Sequence, residues 1–253
     1  QLVWSPGFDL EAWYWENNGG PSSPNAFYTS DQNTTDSVQV ACYAAGTEIQ
    51  TIRGEVRVEN LRTGDLVKTA DNGFCPIFWI FSGTTPLENC DDSLRPILIK
   101  AGALGPTRPH RELILSAQHR LLVGADMQLA QHVPPPALAP ALLLTTLPGV
   151  RVMRGRKRQT WFHFALQRHE VVFANGCASE SLLLGAMVLN GLTFRTRRDL
   201  ISSFRKEPDG RSALNGPPAR PILNRRDVQS ALSGNTLPSS SQQMHPSRSL
   251  VFL

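Results

Sequence analysis

Cys42 stands directly after Ala41 and opens the run Cys42-Tyr43-Ala44-Ala45-Gly46-Thr47-Glu48-Ile49. A thiol on the first residue of a folded unit can close a small ring onto the carbonyl carbon just upstream, here that of Ala41. The product is a thioester in place of an amide, and the backbone is then open to cleavage. The step needs a nucleophilic sulfur, an acid for the departing Cys42 nitrogen, and donors for the developing oxyanion. An amide is more stable than the thioester it becomes, so sulfur and carbonyl must be held together. That arrangement is worth effective molarities of roughly 10⁵–10⁸ M.

The candidate acid is His119, in Leu115-Ser116-Ala117-Gln118-His119. A strand is expected to end at Leu115 and resume at Arg120-Leu121-Leu122-Val123. Ser116 and His119 then fall in the turn between, where their spacing puts both on one side of the chain. Taken singly, such a cysteine or histidine is more often a satisfied core residue. His163 alternates with apolar neighbours in Trp161-Phe162-His163-Phe164, ahead of His169-Glu170-Val171-Val172-Phe173-Ala174-Asn175-Gly176. His110 and His132 read as surface-loop residues.

The elements that must bring these groups together are mostly β. The pattern predicts a hairpin from 49–52 and 56–58, and strands over 66–69, 77–81, 97–100, 112–115, 120–123, 161–166 and 170–173. Asp71-Asn72-Gly73 supplies residues that tolerate positive φ in a tight turn. Residues 133–148, rich in Pro, Ala and Leu, read as a connection with a short helix. Many short strands between Gly and Pro turns argue for an all-β unit, and no internal repeat is visible.

Composition sets the limits. The chain has 253 residues, 41% hydrophobic, with 19 Gly and 19 Pro, a loop- and strand-rich balance. Its net charge of +4 is unevenly placed: residues 1–41 carry five acids and no Lys or Arg, whereas 193–253 carry ten bases against four acids. From about residue 202 the composition is that of a solvated tail, too poor in apolar groups to order itself. That tail lacks the interleaved aromatics of a nucleic-acid binder. Cysteines at 42, 75, 90 and 177 form no CxxC, which argues against a zinc site. Their even number permits two disulfides, but the chain is long enough not to need them. No apolar run reaches the ~18 residues of a membrane span, no cofactor motif is present, and a start at Gln1 says nothing about targeting.

Four blocks, in order and spacing, resemble those of the Hint domain, the Hedgehog/intein autoprocessing fold, and in particular bacterial Hint-domain proteins. They are Cys42 to Thr47, Leu61-Arg62-Thr63-Gly64-Asp65-Leu66-Val67, Ser116 to His119, and Trp161 through Gly176. The resemblance implies a compact, horseshoe-like all-β fold over 42–185. An irregular flank (1–41) precedes it and a largely disordered basic extension (186–253) follows. It makes Cys42 the nucleophile and His119 the histidine of a Thr-x-x-His motif that engages the scissile amide. Ser116 stands in the Thr place, and His163 where inteins often carry an assisting Asp. By this reading His119 carries more of the step than Ser116.

The end of the pattern departs from splicing inteins. No His-Asn pair closes the domain; Asn175-Gly176 is followed by Cys177-Ala178-Ser179-Glu180-Ser181, and Asn175 matches the family's turn asparagine. The stretch between Val123 and Trp161 is too short for a homing endonuclease. The resemblance thus implies single-turnover self-cleavage without splicing and without a cofactor. The substrate is the chain's own N-terminal flank, and water or an external nucleophile resolves the thioester. The alternative is a Hint-fold module that does not cleave and serves a structural or interaction role.

Overall fold

The computed structural model describes residues 41–124, 129, 136–190, 192–204 and 213–232. The flank up to residue 40 and the chain from 233 onward lie outside the described residues, as does His132.

Strands dominate: β1 Tyr43–Ala44, β2 Glu48–Thr51, β3 Gly54–Arg57, β4 Leu66–Lys68, β5 Phe74–Pro86, β6 Ile97–Ile99, β7 Leu113–Leu115, β8 Arg120–Val123, β9 Ala137–Pro140, β10 Val150–Val152, β11 Arg158–Leu166, β12 Val171–Ala174 and β13 Cys177–Glu180. Among the described residues they join into one continuous path, β10-β6-β7-β1-β11-β5-β4-β2-β12-β13-β8-β9, with β3 beside β2. Every named strand pair is antiparallel. This is the expected all-β architecture.

The nucleophile's strand is wedged between the two strands that bring its companions. β1 pairs with β11 through Tyr43↔Phe162 and Ala44↔Trp161, and with β7 through Tyr43↔Leu115. β11 runs against β5 from Arg158↔Pro86 to Leu166↔Ile77, which sets His163 opposite Phe81. Side chains alternate along a strand. Phe164 therefore turns into the main core, stacking on Tyr43 at 5.5 Å, while Trp161 clusters with Cys42 and Ala44 on the other face. His163 shares that second face.

The β12–β13 hairpin turns on Asn175-Gly176, both with positive φ (46° and 78°). That is the two-residue primed turn whose twist suits antiparallel strands. A Cβ on Gly176 would lie 2.9 Å from His110 Nδ1, so glycine is also needed there for space.

Four strands, β1, β9, β10 and β13, go beyond the expected pattern, and β1 is only two residues long. β10 is short. β9 opens the Pro/Ala/Leu stretch, whose helix is the single 3-10 turn Ala141–Leu144. β13 is buried at all four positions, Ser179 and Glu180 included, so it shows no alternation of apolar and polar residues.

The expectation of a largely disordered extension is corrected for its described part. α1 Ala186–Asn190, α2 Phe194–Phe204 and α3 Arg225–Leu232 are helical. Leu223, Val228 and Ala231 join the main core. Backbone bonds Leu138 N–H to Pro221 O (2.8 Å) and Leu223 N–H to Leu138 O (2.9 Å) tie the segment to β9. Asn215 is buried, accepting from Leu184 N–H and donating to Leu182 O, both at 2.8 Å. Sparse apolar residues between arginines and prolines diluted the signal, and backbone pairing leaves none in composition. Among the described residues no helix is long and apolar enough to cross a membrane.

Candidate functional site

One peptide bond is engaged at both ends. The Cys42 N–H donates to Ser116 Oγ at 3.0 Å, and the Ala41 carbonyl oxygen lies 3.1 Å from His163 Nδ1. The next carbonyl, that of Cys42, accepts from Ser116 N–H at 3.1 Å and from His119 Nδ1 at 3.1 Å. A carbonyl oxygen can only accept, so both imidazoles carry their hydrogen on Nδ1. The turn after β7 explains the pairing: His119 N–H bonds back to Ser116 O at 3.1 Å, closing the tight loop that presents both side chains to β1.

The other three expected site residues, Ser116, His119 and His163, thus gather about Cys42 and the peptide bond before it. Their distribution differs from the resemblance in one respect: Ser116, not His119, holds the nitrogen of the Ala41–Cys42 bond, and His119 holds the carbonyl on its far side. Asn175 is a turn residue at a distance along the sheet, bonded on every polar atom. Its Oδ1 accepts from Glu48 N–H (2.7 Å) and its Nδ2 donates to Glu112 O (2.9 Å). Its N–H donates to Glu48 O (2.8 Å), and its carbonyl accepts from His110 N–H (3.0 Å).

Burial governs the protonation states. It raises the Cys42 thiol above the ordinary cysteine range, countered in part by a hydrogen bond with the Ser116 side chain. It lowers both imidazoles: His163 to about 4, opposed by its bond to Ala41, and His119 to about 4, opposed by the Glu180 charge and the bond to Cys42. Both rings are therefore neutral near pH 7. His119 Nε2 is buried and has no hydrogen-bond partner among the described residues. Cys177 is fully buried in the main core, its thiol pushed up to about 12 by burial. No disulfide forms among the described residues, which include all four cysteines.

Residues that sequence reasoning passed over surround the site on its core side. Tyr43 meets His119 edge-on, with ring centroids 4.4 Å apart. Its hydroxyl reaches Ser179 Oγ (2.8 Å) and donates to Glu180 O (2.9 Å). The buried Glu180 carboxylate accepts from Arg120 N–H and Nη1, each at 2.9 Å, and from His169 Nε2 at 3.2 Å. Burial alone would raise Glu180, but the His169 bond and the Arg120 charge bring it below the ordinary carboxylate range. A glutamate beside Ser179 in a short polar run gave no sign of this; the charged residues at the ends of β8 and β13 were the available clue.

A cleft of about 360 Å³ opens beside the nucleophile strand, lined by Ala44, Gly46, Thr47, Arg111 and Ile114 among others. Among the described residues, Glu48, Glu55 and His110 are the donors close enough to share a cation. Glu48 is already bound to Arg111 at 2.6 Å, and His110 Nε2 stands 3.6–3.7 Å from both carboxylates, as a surface ion-pair cluster does.

Comparison with known proteins bears on the family. None of the curated proteins compared matches the chain. Several solved structures do. A variant of the gp41-1 intein is 14% identical, covering 55% of this chain and 98% of its own, with a TM-score of 0.36. The bacterial intein-like domain from Clostridium thermocellum is 12% identical over 55% of this chain and 96% of its own, at 0.36. The DnaB intein from Synechocystis sp. PCC 6803 is 12% identical over 56% and 98%, at 0.35. The family model described as Hint domain matches residues 41–186, beginning at the residue whose carbonyl His163 holds. This chain belongs to the Hint-domain family.

Proposed function

We propose that the domain cleaves its own backbone between Ala41 and Cys42 by an N-to-S acyl shift. The observation that carries this reading is the double engagement of that one bond, by His163 at its oxygen and Ser116 at its nitrogen. Cys42 Sγ adds to the Ala41 carbonyl carbon, and the electron pair moves onto Ala41 O, where the His163 Nδ1–H donates to the developing oxyanion. Collapse restores the carbonyl and breaks the bond to the Cys42 nitrogen. The thiol proton must end on that nitrogen. Ser116 Oγ, hydrogen-bonded to the nitrogen and in contact with the thiol, takes the thiol proton as its own passes to the nitrogen, because a hydroxyl both donates and accepts. No charged histidine is required, in keeping with the depressed imidazoles. His119, with Ser116 N–H, fixes the Cys42 carbonyl and hence the angle of attack.

Residues 1–41 are then the substrate flank, 42–185 the self-cleaving domain and 186–253 an extension. Water, or a nucleophile entering by the cleft beside β1, attacks the thioester carbonyl, releasing the flank and returning the Cys42 thiol. Ligation of the flanks is not part of this reading. Asn cyclisation would need the Asn175 amide nitrogen, which is bound to Glu112 O, and acyl transfer to Cys177 would need a thiol that is buried in the core.

Dithiothreitol tests the reading, since a thiol attacks a thioester but not an amide. Intact-mass spectrometry should show a break between Ala41 and Cys42 that grows with thiol and is absent from Cys42→Ala. A second reading, a Hint-fold module that does not cleave, is favoured by one observation: Cys42 is only 4% exposed and its thiol is raised. Full-length mass in thiol, identical to Cys42→Ala, would establish it.

A further inference from the structure

The C-terminal extension reaches the Ala41–Cys42 bond from two sides. On one side, Ala41 is part of an apolar cluster with Ala165 of β11 and with Leu189 of α1, Leu200 of α2 and Leu214. On the other, a chain of contacts, polar up to its last link, runs from the extension to the site. Ala219 N–H donates to His169 Nδ1 at 2.8 Å. That nitrogen is therefore unprotonated in the neutral ring, and Nε2 carries the hydrogen that Glu180 Oε2 accepts at 3.2 Å. The same residue's carbonyl accepts from Tyr43 Oη, and the Tyr43 ring meets His119. Tyr43, His119, His169 and Glu180 are all buried.

Burying a carboxylate and an imidazole is costly unless both are fully bonded, and packed apolar residues would often stabilise a fold as well or better. Here each is bonded, and the chain they form ends on the residue that holds the Cys42 carbonyl. Glu180 also supplies the negative charge that opposes the effect of burial on His119.

We propose that the extension is a working part of the cleavage site, with residues 213–220 fixing the His169 tautomer and His169 and Glu180 serving as positioning residues for Tyr43 and His119. The inference rests on the self-cleavage reading. The segment that folds after the domain thus completes the geometry of a bond near its beginning.

The test uses the full chain and two paired substitutions. His169→Gln places an amide donor near the Nε2 position, within reach of Glu180. His169→Asn keeps an acceptor near Nδ1 but is too short to reach Glu180. Both leave similar gaps, so a merely structural histidine predicts similar losses. Positioning through Glu180 predicts that His169→Asn slows thiol-induced cleavage by roughly 10- to 100-fold, the worth of a displacement near an ångström, and that His169→Gln restores part of it. Glu180→Gln should be slowed like His169→Asn. Nitrogen-15 imidazole spectra in a Cys42→Ala background should show the His119 signals displaced by His169→Asn and less so by His169→Gln. Equal cleavage rates in wild type and His169→Asn, with unmoved His119 signals, would overturn the proposal. If the wild type itself does not cleave, the self-cleavage reading falls and the His119 signals alone decide the coupling. Should His169→Asn fail to fold, Ala219→Pro, which removes the N–H donor to His169, takes its place with the same two readouts.

Discussion

Ser116 binds Cys42 twice, its hydroxyl accepting from the Cys42 N–H at 3.0 Å and its own N–H donating to the Cys42 carbonyl at 3.1 Å. The second bond is made by backbone and is available to any residue but proline; the first depends on the hydroxyl alone. Ser116→Ala should therefore leave the fold in place while slowing thioester formation by roughly 10²–10⁴-fold, the range of positioned proton transfer. Ser116→Thr, which keeps the hydroxyl, should stay within about tenfold of wild type. Rates of dithiothreitol cleavage by intact mass decide it, and an alanine variant as fast as wild type would remove Ser116 from the proton path.

His163 lies 3.1 Å from the oxygen on which charge would develop in the proposed cleavage. Replacing it with Phe removes the donor but keeps a ring against Phe81, with which the imidazole stacks at 6.1 Å. The cleavage rate should fall roughly 10²–10³-fold, the usual loss of one oxyanion donor. A folded His163→Phe domain that cleaves normally would show that the contact to Ala41 O is incidental.

The two depressed histidines set a pH dependence. Each has a folded pKa near 4 against an ordinary 6.5, so between those values the unfolded chain binds more protons than the folded one. Stability then rises with pH through that window. It is fully present above about 6.5 and lost as pH falls toward 4. Urea titrations of Cys42→Ala at a series of pH values should show this fall, and His163→Gln should show a shallower one. A flat profile from pH 7 to 4 would contradict the burial of both rings.

Asn175 and Gly176 are expected to be structural. Asn175→Ala leaves the Glu48 N–H and Glu112 O without their side-chain partner and puts alanine at positive φ. A loss of about 1–3 kcal/mol follows from the two part-buried hydrogen bonds removed. Gly176→Ala should also destabilise, through the close approach to His110. Neither change should remove a ligated product, since none is expected; thermal melting and mass spectrometry together make the check.

Truncation separates the two parts of the extension. A chain ending at Leu232 should melt as the full chain does, because residues 233–253 are mostly polar in composition. A chain ending at 212 loses Leu214, Asn215, Leu223, Val228 and Ala231 from the core and should melt markedly lower. Equal midpoints for all three would mean that α3 and its neighbours do not dock in solution.

Much of the site was legible because its chemistry is local. Ser116 and His119 sit in one tight turn, His163 lies on a strand whose apolar neighbours announce it, and Cys42 directly precedes β1 at a visible change in the character of the chain. Which donor faces which atom was not legible: that depends on the register Tyr43↔Leu115 and Tyr43↔Phe162, and pairings between residues far apart in sequence leave no local trace. For the same reason Glu180 and His169 went unnoticed. Their importance comes from burial beside Arg120 and Ala219, on elements distant in sequence. The docked segment 213–232 was hidden differently, by backbone bonds to β9 that no side-chain pattern encodes.

The wedge of β1 between β7 and β11 begins at Tyr43, one residue beyond the Ala41–Cys42 bond. Ala41 enters no strand pair, so severing it from Cys42 leaves every rung of the sheet intact. The domain that remains would keep its strand pairing, with a new amino terminus on Cys42 still clasped at its carbonyl by Ser116 and His119. An amine and a thiol on one anchored residue is an aminothiol, the grouping that captures thioesters from other molecules. The spent domain would carry it as a handle, a chemical label of having acted.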